Sequence, residues 1–255
     1  METARSIQPV LASRQRVIRL SGRQPVVFVG DTHGDLDATE TVFSRHLTGR
    51  TTIVFLGDTV DRGPSSKENL DLILRMKVVH PKQVHLLMGN HEAWSIRPFF
   101  PADFWNGLPA EDAMTLATIL EGLPFAASHP SGVLGLHGAL PALSRLEDLE
   151  SVVPGSEAWK AITWGDWLAS GSLPIGASAS SRPLFDQATF AQRAAALGVR
   201  VLIRSHQPFV PMTLYQSRCL TIFTSSAYGG TPRRIAILPP ARRVHTVSDL
   251  QIEEL

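Results

Sequence analysis

Val54-Phe55-Leu56-Gly57-Asp58-Thr59-Val60-Asp61-Arg62-Gly63 decides how this chain is read. An apolar run of β-branched and aromatic residues stops at Gly and Asp, and a second acid and an arginine follow. A short run of this kind reads as a buried strand, so the polar cluster falls where that strand leaves its sheet. Open α/β sheets gather ligands at the carboxyl ends of their strands. Taken alone, the stretch is equally well a strand end with an ion-paired turn. Repetition removes that balance. Val26–Val29 runs into Gly30-Asp31-Thr32-His33-Gly34-Asp35, and residues 84–88 run into Gly89-Asn90-His91-Glu92. Val133–Leu136 ends in His137-Gly138, and residues 199–203 end in Arg204-Ser205-His206-Gln207. Five apolar runs that each finish in Asp, Asn or His imply one polar site assembled from five strand ends.

The segments between these runs predict the scaffold. Residues 36–43 return apolar side chains at helical spacing, and Pro64 is suited to the first turn of a helix whose buried face is Leu70, Leu72, Ile73, Leu74 and Met76. Strand, helix, strand, helix, strand predicts a right-handed βαβ build. Further helices are expected over residues 10–20, 113–121, 143–149, 157–168 and 185–197, the last stopped by Gly198. Residues 220–224, Arg234–Leu238 and 244–252 read as late strands, with Pro239-Pro240 as a turn. Residues 93–125, with Phe99, Phe100, Phe104 and Trp105 among prolines and glycines, read as an insertion near the site. A satellite core is the plainer account of any one of those aromatics. Residues 170–181, rich in Ser, Gly and Ala, are expected to be a mobile loop, and residues 1–9 a loose tail.

At 255 residues the chain suits one catalytic α/β domain spanning residues 1–255. Twenty-four basic residues stand against 23 acidic ones. That leaves no basic excess to hold a polyanion, so nucleic acid is not an expected partner. Cys219 is the single cysteine, which rules out an intrachain disulfide and a thiolate metal cluster. No apolar stretch reaches the roughly 20 residues of a membrane span, and the N-terminal residues hold no apolar signal core. No membrane partner and a cytoplasmic location are the resulting expectations.

The strand ends offer mixed ligands. Asp31 and His33, two apart on an extended segment, share a face. Asp58 offers a carboxylate able to bridge two ions, Asn90 a carbonyl oxygen, and His137 and His206 imidazole nitrogens. Such an oxygen and nitrogen set suits Mn, Fe or Zn over Ca, and six ligands with a shared carboxylate suit a two-metal centre for phosphoester hydrolysis. Asp61 can pair with His91, which would then give a proton to a leaving oxygen, and Arg62 can grip phosphate. Residue 95 is Ser, so His91-Glu92 is not a zincin helix, and no nucleophile elbow occurs. His46, His80, His85, His129 and His245 lie outside these motifs and are expected to be surface or core residues.

Gly30-Asp31-Thr32-His33-Gly34, Gly57-Asp58-Thr59-Val60-Asp61-Arg62-Gly63 and Gly89-Asn90-His91-Glu92 resemble the three motifs of the phosphoprotein phosphatase family of metallophosphoesterases. Leu123-Pro124 before His137-Gly138, and Arg204-Ser205-His206-Gln207, continue a resemblance that covers about residues 10 to 240 in segments. It implies a four-layer α/β/β/α sandwich with the active site at the carboxyl ends of the central strands. It implies two divalent ions per chain, manganese first, with iron or zinc as alternatives. Asp31, His33 and Asp58 would hold one; Asp58, Asn90, His137 and His206 the other. His91 with Asp61 would be the acid, with Arg62, Arg182 and Asn90 binding phosphate. Tyr228 resembles the active-site tyrosine of eukaryotic members, and Trp164 with Asp166 a Trp-x-Asp element. Ala139 in place of a second Gly, Ser205 in place of Gly or Ala, and the lack of a cysteine beside Tyr228 depart from the pattern without removing a ligand. They bear on inhibitor sensitivity; the chain is also shorter than the eukaryotic catalytic cores, so it resembles the bacterial, archaeal or phage branch. The implied activity is hydrolysis of phosphomonoesters, foremost phosphoserine and phosphothreonine in proteins and small aryl phosphates in vitro, by in-line attack of metal-activated water. A diadenosine tetraphosphatase or other small-molecule phosphoesterase is the rival, disfavoured by His33 where that group carries Gln. A phosphate-binding protein without catalysis is the third reading.

Overall fold

The computed structural model describes residues 15–169, 182–240 and 243–255. The expected loose tail and the whole of the expected loop at 170–181 fall outside them, as do residues 10–14 of the expected helix at 10–20. Two sheets carry the chain. One has the order β13-β12-β2-β3-β4, formed by Gln251–Glu254, Arg234–Leu238, Val26–Val29, Thr52–Phe55 and Val84–Leu86. The other has the order β1-β5-β6-β9-β11-β10, formed by Val17–Arg19, Ala126–His129, Val133–Leu136, Val201–Arg204, Cys219–Thr221 and Thr213–Leu214. Strands β2, β3 and β4 run parallel and are linked by α1 (Leu36–His46) and α2 (Ser66–Val79), the expected βαβαβ build.

Strand alternation makes the layers. Phe28, Val54 and Leu56 point one way and pack with Ala127, Val133, Val201, Ile203 and Leu220 of the second sheet. The sheets therefore meet face to face, so closely that a Cβ on Gly135 would lie 2.7 Å from the Phe28 ring. Val27, Val29, Ile53 and Phe55 point the other way, into a cluster with Val42 and Phe43 of α1 and Leu70, Ile73 and Leu74 of α2. On the far side, Leu134, Leu136 and Leu202 join Trp159 and Ile162 of α5 (Glu157–Trp164) and Phe190 of α6 (Gln187–Ala196). Helix, sheet, sheet, helix is the expected four-layer order. Each large apolar side chain so buried contributes about 1.5–3 kcal/mol.

Several boundaries differ from expectation. Val17–Arg19 is a strand parallel to β5, not the end of a helix: two adjacent β-branched residues complete a sheet edge in three positions. Ser65, not Pro64, occupies the N-cap position, and α2 starts at Ser66. Leu146–Ser151 is a 3₁₀ turn rather than a helix over 143–149. Helix α5 stops at Trp164 instead of 168: Gly165 turns to an extended conformation and abuts Ala139 so tightly that a Cβ would sit 2.6 Å from the alanine methyl. Asp166–Trp167 then pairs with Leu184–Phe185 as β7 and β8, so α6 opens at Gln187, with Asp186 as its cap. Of residues 244–252, Val247–Asp249 is a 3₁₀ turn closed by a Thr246–Asp249 capping box, leaving the last strand to Gln251–Glu254. Residues 93–125, with α3 (Asp103–Asn106) and α4 (Ala110–Leu120), carry the chain from β4 in one sheet to β5 in the other. No helix among the described residues is long and apolar enough to cross a membrane.

Candidate metal centre and phosphate cleft

The five strand ends meet. Thr32 and His33 donate their backbone N–H groups to the carbonyl of Asp58 at 3.2 and 3.0 Å, and Asp31 bridges to Phe223, just beyond β11. Ser205 donates its N–H to the His137 carbonyl at 3.0 Å. His33, Asp58, Asp61, Arg62 and His206 all have positive φ, between 43° and 72°. Non-glycine residues seldom adopt that region, and strain of this kind concentrates at functional sites. Gly57 at φ 107° admits the backbone of Gly89, which a Cβ would meet at 2.4 Å.

Asp58 is the hub. Its Oδ1 accepts the His91 backbone N–H at 2.9 Å. Its Oδ2 lies 3.8 Å from His33 Nε2, 3.8 Å from His91 Nε2 and 3.3 Å from His137 Nε2. His137 Nε2 also stands 3.2 Å from Asn90 Oδ1 and 3.1 Å from His206 Nδ1. Asp31 Oδ2 is 3.7 Å from His33 Nε2, and the Asp31 carboxylate accepts the His206 backbone N–H. Two buried triads result, His33–Asp58–His91 and Asp58–His137–His206, each with ligand atoms within 4.8 Å of one another.

The second nitrogen of each ring orients the first. His33 Nδ1 donates to the Val60 carbonyl at 2.8 Å and His137 Nδ1 to the Leu56 carbonyl at 3.1 Å, which leaves both Nε2 lone pairs for the centre. His206 turns Nδ1 inward and Nε2 toward Asp166 Oδ1 at 3.6 Å; neither of those two buried atoms has a hydrogen bond among the described residues. Burial pushes the Asp31 carboxyl up to about 7 and the His33 imidazole down to about 4. Burial alone would raise Asp58, but His137, His91 and His33 hold it well below the usual carboxylate range. Burial likewise opposes the charged form of His137, yet Asp58 and Asp31 lift it to about 9. Carboxylates and imidazole lone pairs crowded together out of water are a donor set for divalent cations, and these His and Asp residues are positioned for a metal site.

Beside this centre opens a cleft of about 370 Å³ lined by Arg62, Asn90, His91, Arg97, Phe99, Phe100, Trp164 and Arg182. His91 Nδ1 donates to Asp61 Oδ2 at 2.6 Å, and Asp61 Oδ1 accepts the Phe104 N–H at 2.7 Å. Burial works against protonation of His91, but Asp58 and Asp61 outweigh it and raise its pKa. Arg182 Nη1 lies 3.6 Å from Asp166 Oδ2. Tyr228 is outside the cleft, with its hydroxyl 3.5 Å from His33 Nε2.

All the residues singled out in the sequence converge on the centre, the cleft or its edge. Four other residues that hold them were not assigned roles. Glu92, fully buried, accepts the backbone N–H groups of Asp58, Thr59 and Gly89 and the Thr59 hydroxyl at 2.7–2.9 Å. Asn69 of α2 donates to the Thr32 hydroxyl and the Thr59 carbonyl. Arg204, also fully buried, donates to the carbonyls of Gly138 and Gly165. Arg97 lines the cleft. A charged side chain directly at the end of an apolar run, as Arg204 is, was the one signal available.

A family model described as calcineurin-like phosphoesterase matches residues 24–209, most of the chain and every strand end named above. The chain belongs to that family. A probable serine/threonine-protein phosphatase of Encephalitozoon cuniculi is 25% identical over 254 residues, 92% of this chain and 54% of that protein. Serine/threonine-protein phosphatase BSL2 of Arabidopsis thaliana is 25% identical over 251 residues, 89% of this chain and 24% of its own length. The chain thus spans about half of one relative and a quarter of the other. Among solved structures, a serine/threonine phosphatase of Saccharomyces cerevisiae with similarity to human PP5 superposes with a TM-score of 0.80 at 22% identity, over 100% of this chain and 89% of that one. A putative diadenosine tetraphosphatase gives 0.57 at 18% identity, over 94% and 98%. At these identities the structural likeness speaks for the fold.

Proposed function

We propose that the chain is a metal-dependent phosphomonoester hydrolase acting foremost on phosphoserine and phosphothreonine in proteins. One observation carries this: Asp58 Oδ2 stands among three imidazole nitrogens at 3.3–3.8 Å, at the edge of a cleft that holds Arg62 and Arg182. Asp31, His33 and Asp58 would hold one divalent ion, and Asp58, Asn90, His137 and His206 a second, manganese in the first instance, with iron or zinc able to replace it. The distances alone would also admit His91 as a ligand. Its place on the cleft wall, with its other nitrogen tied to Asp61, favours the acid role. When bound, such a pair of ions neutralises phosphoryl charge and makes water nucleophilic.

The chain's own groups do the rest. Arg62 and Arg182 bind phosphoryl oxygens, Asn90 presents its amide at the cleft, and Tyr228 covers the His33 side. His91 Nε2 gives its proton to the leaving oxygen while Asp61 stabilises the imidazolium through Nδ1. Asp166 orients His206 and Arg182 together. The names of the phosphatase relatives support protein substrates. The test is turnover of p-nitrophenyl phosphate, a phosphoserine peptide and diadenosine tetraphosphate, with Mn²⁺ added or chelated. Manganese-dependent turnover with preference for the peptide is expected. Preference for the dinucleotide would overturn the substrate, and no turnover of any of the three would overturn the activity.

A further inference from the structure

Three guanidinium groups line the cleft. Arg62 and Arg182, the latter 3.6 Å from the Asp166 carboxylate, are the pair assigned above to the phosphoryl group; Arg97 lines the same cavity as a third. Arg97 is fixed by rings. Its Cζ lies 5.2 Å from the Trp164 ring, and Arg182 Cζ lies 5.9 Å from that same ring. Trp164 packs edge-on against Phe99 at 5.7 Å, and Phe99 against His91 at 4.4 Å. One chain of aromatic contacts thus links Arg97 and Arg182 to His91, the imidazole proposed above as the acid. Stacking on an aromatic face orders a guanidinium before any ligand arrives. The backbone is fixed as well: the Arg97 N–H donates to the Ala93 carbonyl at 3.1 Å, and Pro98 follows directly.

Resting on the phosphoesterase reading above, we infer that Arg97 binds a second anionic group of the substrate, held beside the phosphoester, and so selects esters whose leaving group carries extra negative charge. Two sources offer that chemistry: an acidic side chain next to the phosphorylated residue, or the remaining phosphates of a nucleotide. Binding of a second anion by a positioned arginine is a matter of complementarity, so it appears as selectivity.

The experiment measures kcat/KM of the wild-type chain, Arg97→Ala and Arg97→Lys on four substrates. These are p-nitrophenyl phosphate, a phosphoserine peptide with neutral flanks, the same peptide with aspartates beside the phosphoserine, and diadenosine tetraphosphate. The wild-type chain is expected to prefer one anion-bearing substrate over the neutral peptide. In Arg97→Ala that preference should fall about tenfold, or ~1.4 kcal/mol, chiefly through KM. Arg97→Lys should retain part of it, and the substrate that loses preference identifies the source of the anion. Equal loss on all four substrates, or no change in the ratio, overturns the inference while leaving the activity in place. A wild-type chain that hydrolyses none of them overturns the activity and this inference together. Should Arg97→Ala fail to fold, as judged by circular dichroism, Arg97→Gln carries the same comparison.

Discussion

Asp166 Oδ1 faces His206 Nε2 across 3.6 Å, inside the protein, and Asp166 Oδ2 faces Arg182 Nη1 at the same distance. One carboxylate therefore reaches both an imidazole of the candidate metal centre and a guanidinium of the phosphate cleft. Gln207 and Arg204 fix the segment that carries it: Gln207 exchanges hydrogen bonds with the backbone N–H and carbonyl of Trp167, and Arg204 donates to Gln207 and to the Gly165 carbonyl.

Removing that carboxylate should weaken both sites at once. Outer partners of ligating histidines typically contribute about 10–100-fold in metal affinity. Asp166→Ala is expected to lose affinity for one of two Mn²⁺ ions on that scale, read by calorimetry, and to raise KM for phosphoester. Asp166→Asn should retain part of both. An unchanged metal titration in Asp166→Ala would leave Asp166 with a packing role only.

The His91–Asp61 pair predicts a different outcome. His91→Ala and Asp61→Asn should each lower kcat by about 10²–10⁴ while metal content stays at the wild-type level. The loss should be smallest for p-nitrophenyl phosphate, whose leaving group needs little protonation. A His91→Ala protein that instead loses an ion would make His91 a ligand, the alternative that its 3.8 Å distance from Asp58 Oδ2 permits.

Glu92 is the strut beneath the hub. Glu92→Ala would strip hydrogen-bond acceptors from three backbone N–H groups and one hydroxyl in the interior. Each buried donor left unsatisfied costs about 1–3 kcal/mol. Urea unfolding should therefore show a loss of at least ~3 kcal/mol, and Glu92→Gln should lose less. A change within ~0.5 kcal/mol would show that water reaches these donors.

Lys77 gives a pH signature far from the centre. It donates to the Pro81 carbonyl and contacts His85 Nδ1, and burial lowers its pKa to about 8. The unfolded chain keeps that proton up to about pH 10.5, so the unfolded state binds more protons across this window. Stability from this residue is lowest below pH 8 and rises as pH climbs from about 8 to about 10.5. Relative to Lys77→Met, the wild-type chain should gain stability over that window. Parallel stability curves would contradict it.

Legibility from sequence followed the kind of signal each residue carries. The strand ends were readable because an apolar run that stops at Gly-Asp or Gly-Asn-His has two signals at once, a buried strand and a metal-ligand residue. The parallel β2-β3-β4 unit followed from helical spacing between such runs. Strands β7 and β8 were not readable, because two-residue strands such as Asp166–Trp167 have no periodicity to detect. Val17–Arg19 differs from the helix expected over 10–20 because Val10, Leu11, Val17 and Ile18 recur at helical spacing, while the parallel partner at β5 lies more than a hundred residues away. Glu92 and Asn69 were visible as polar residues but not as struts. What they do depends on backbone groups brought to them by folding.

Two ions held around one carboxylate are the centre of this account. The decisive measurement is the metal content of the purified chain after saturation with Mn²⁺ and removal of free ion, by inductively coupled plasma mass spectrometry. The account predicts two Mn²⁺ per wild-type chain and no more than one in Asp58→Asn. One or none in the wild type, or two in the variant, would contradict it.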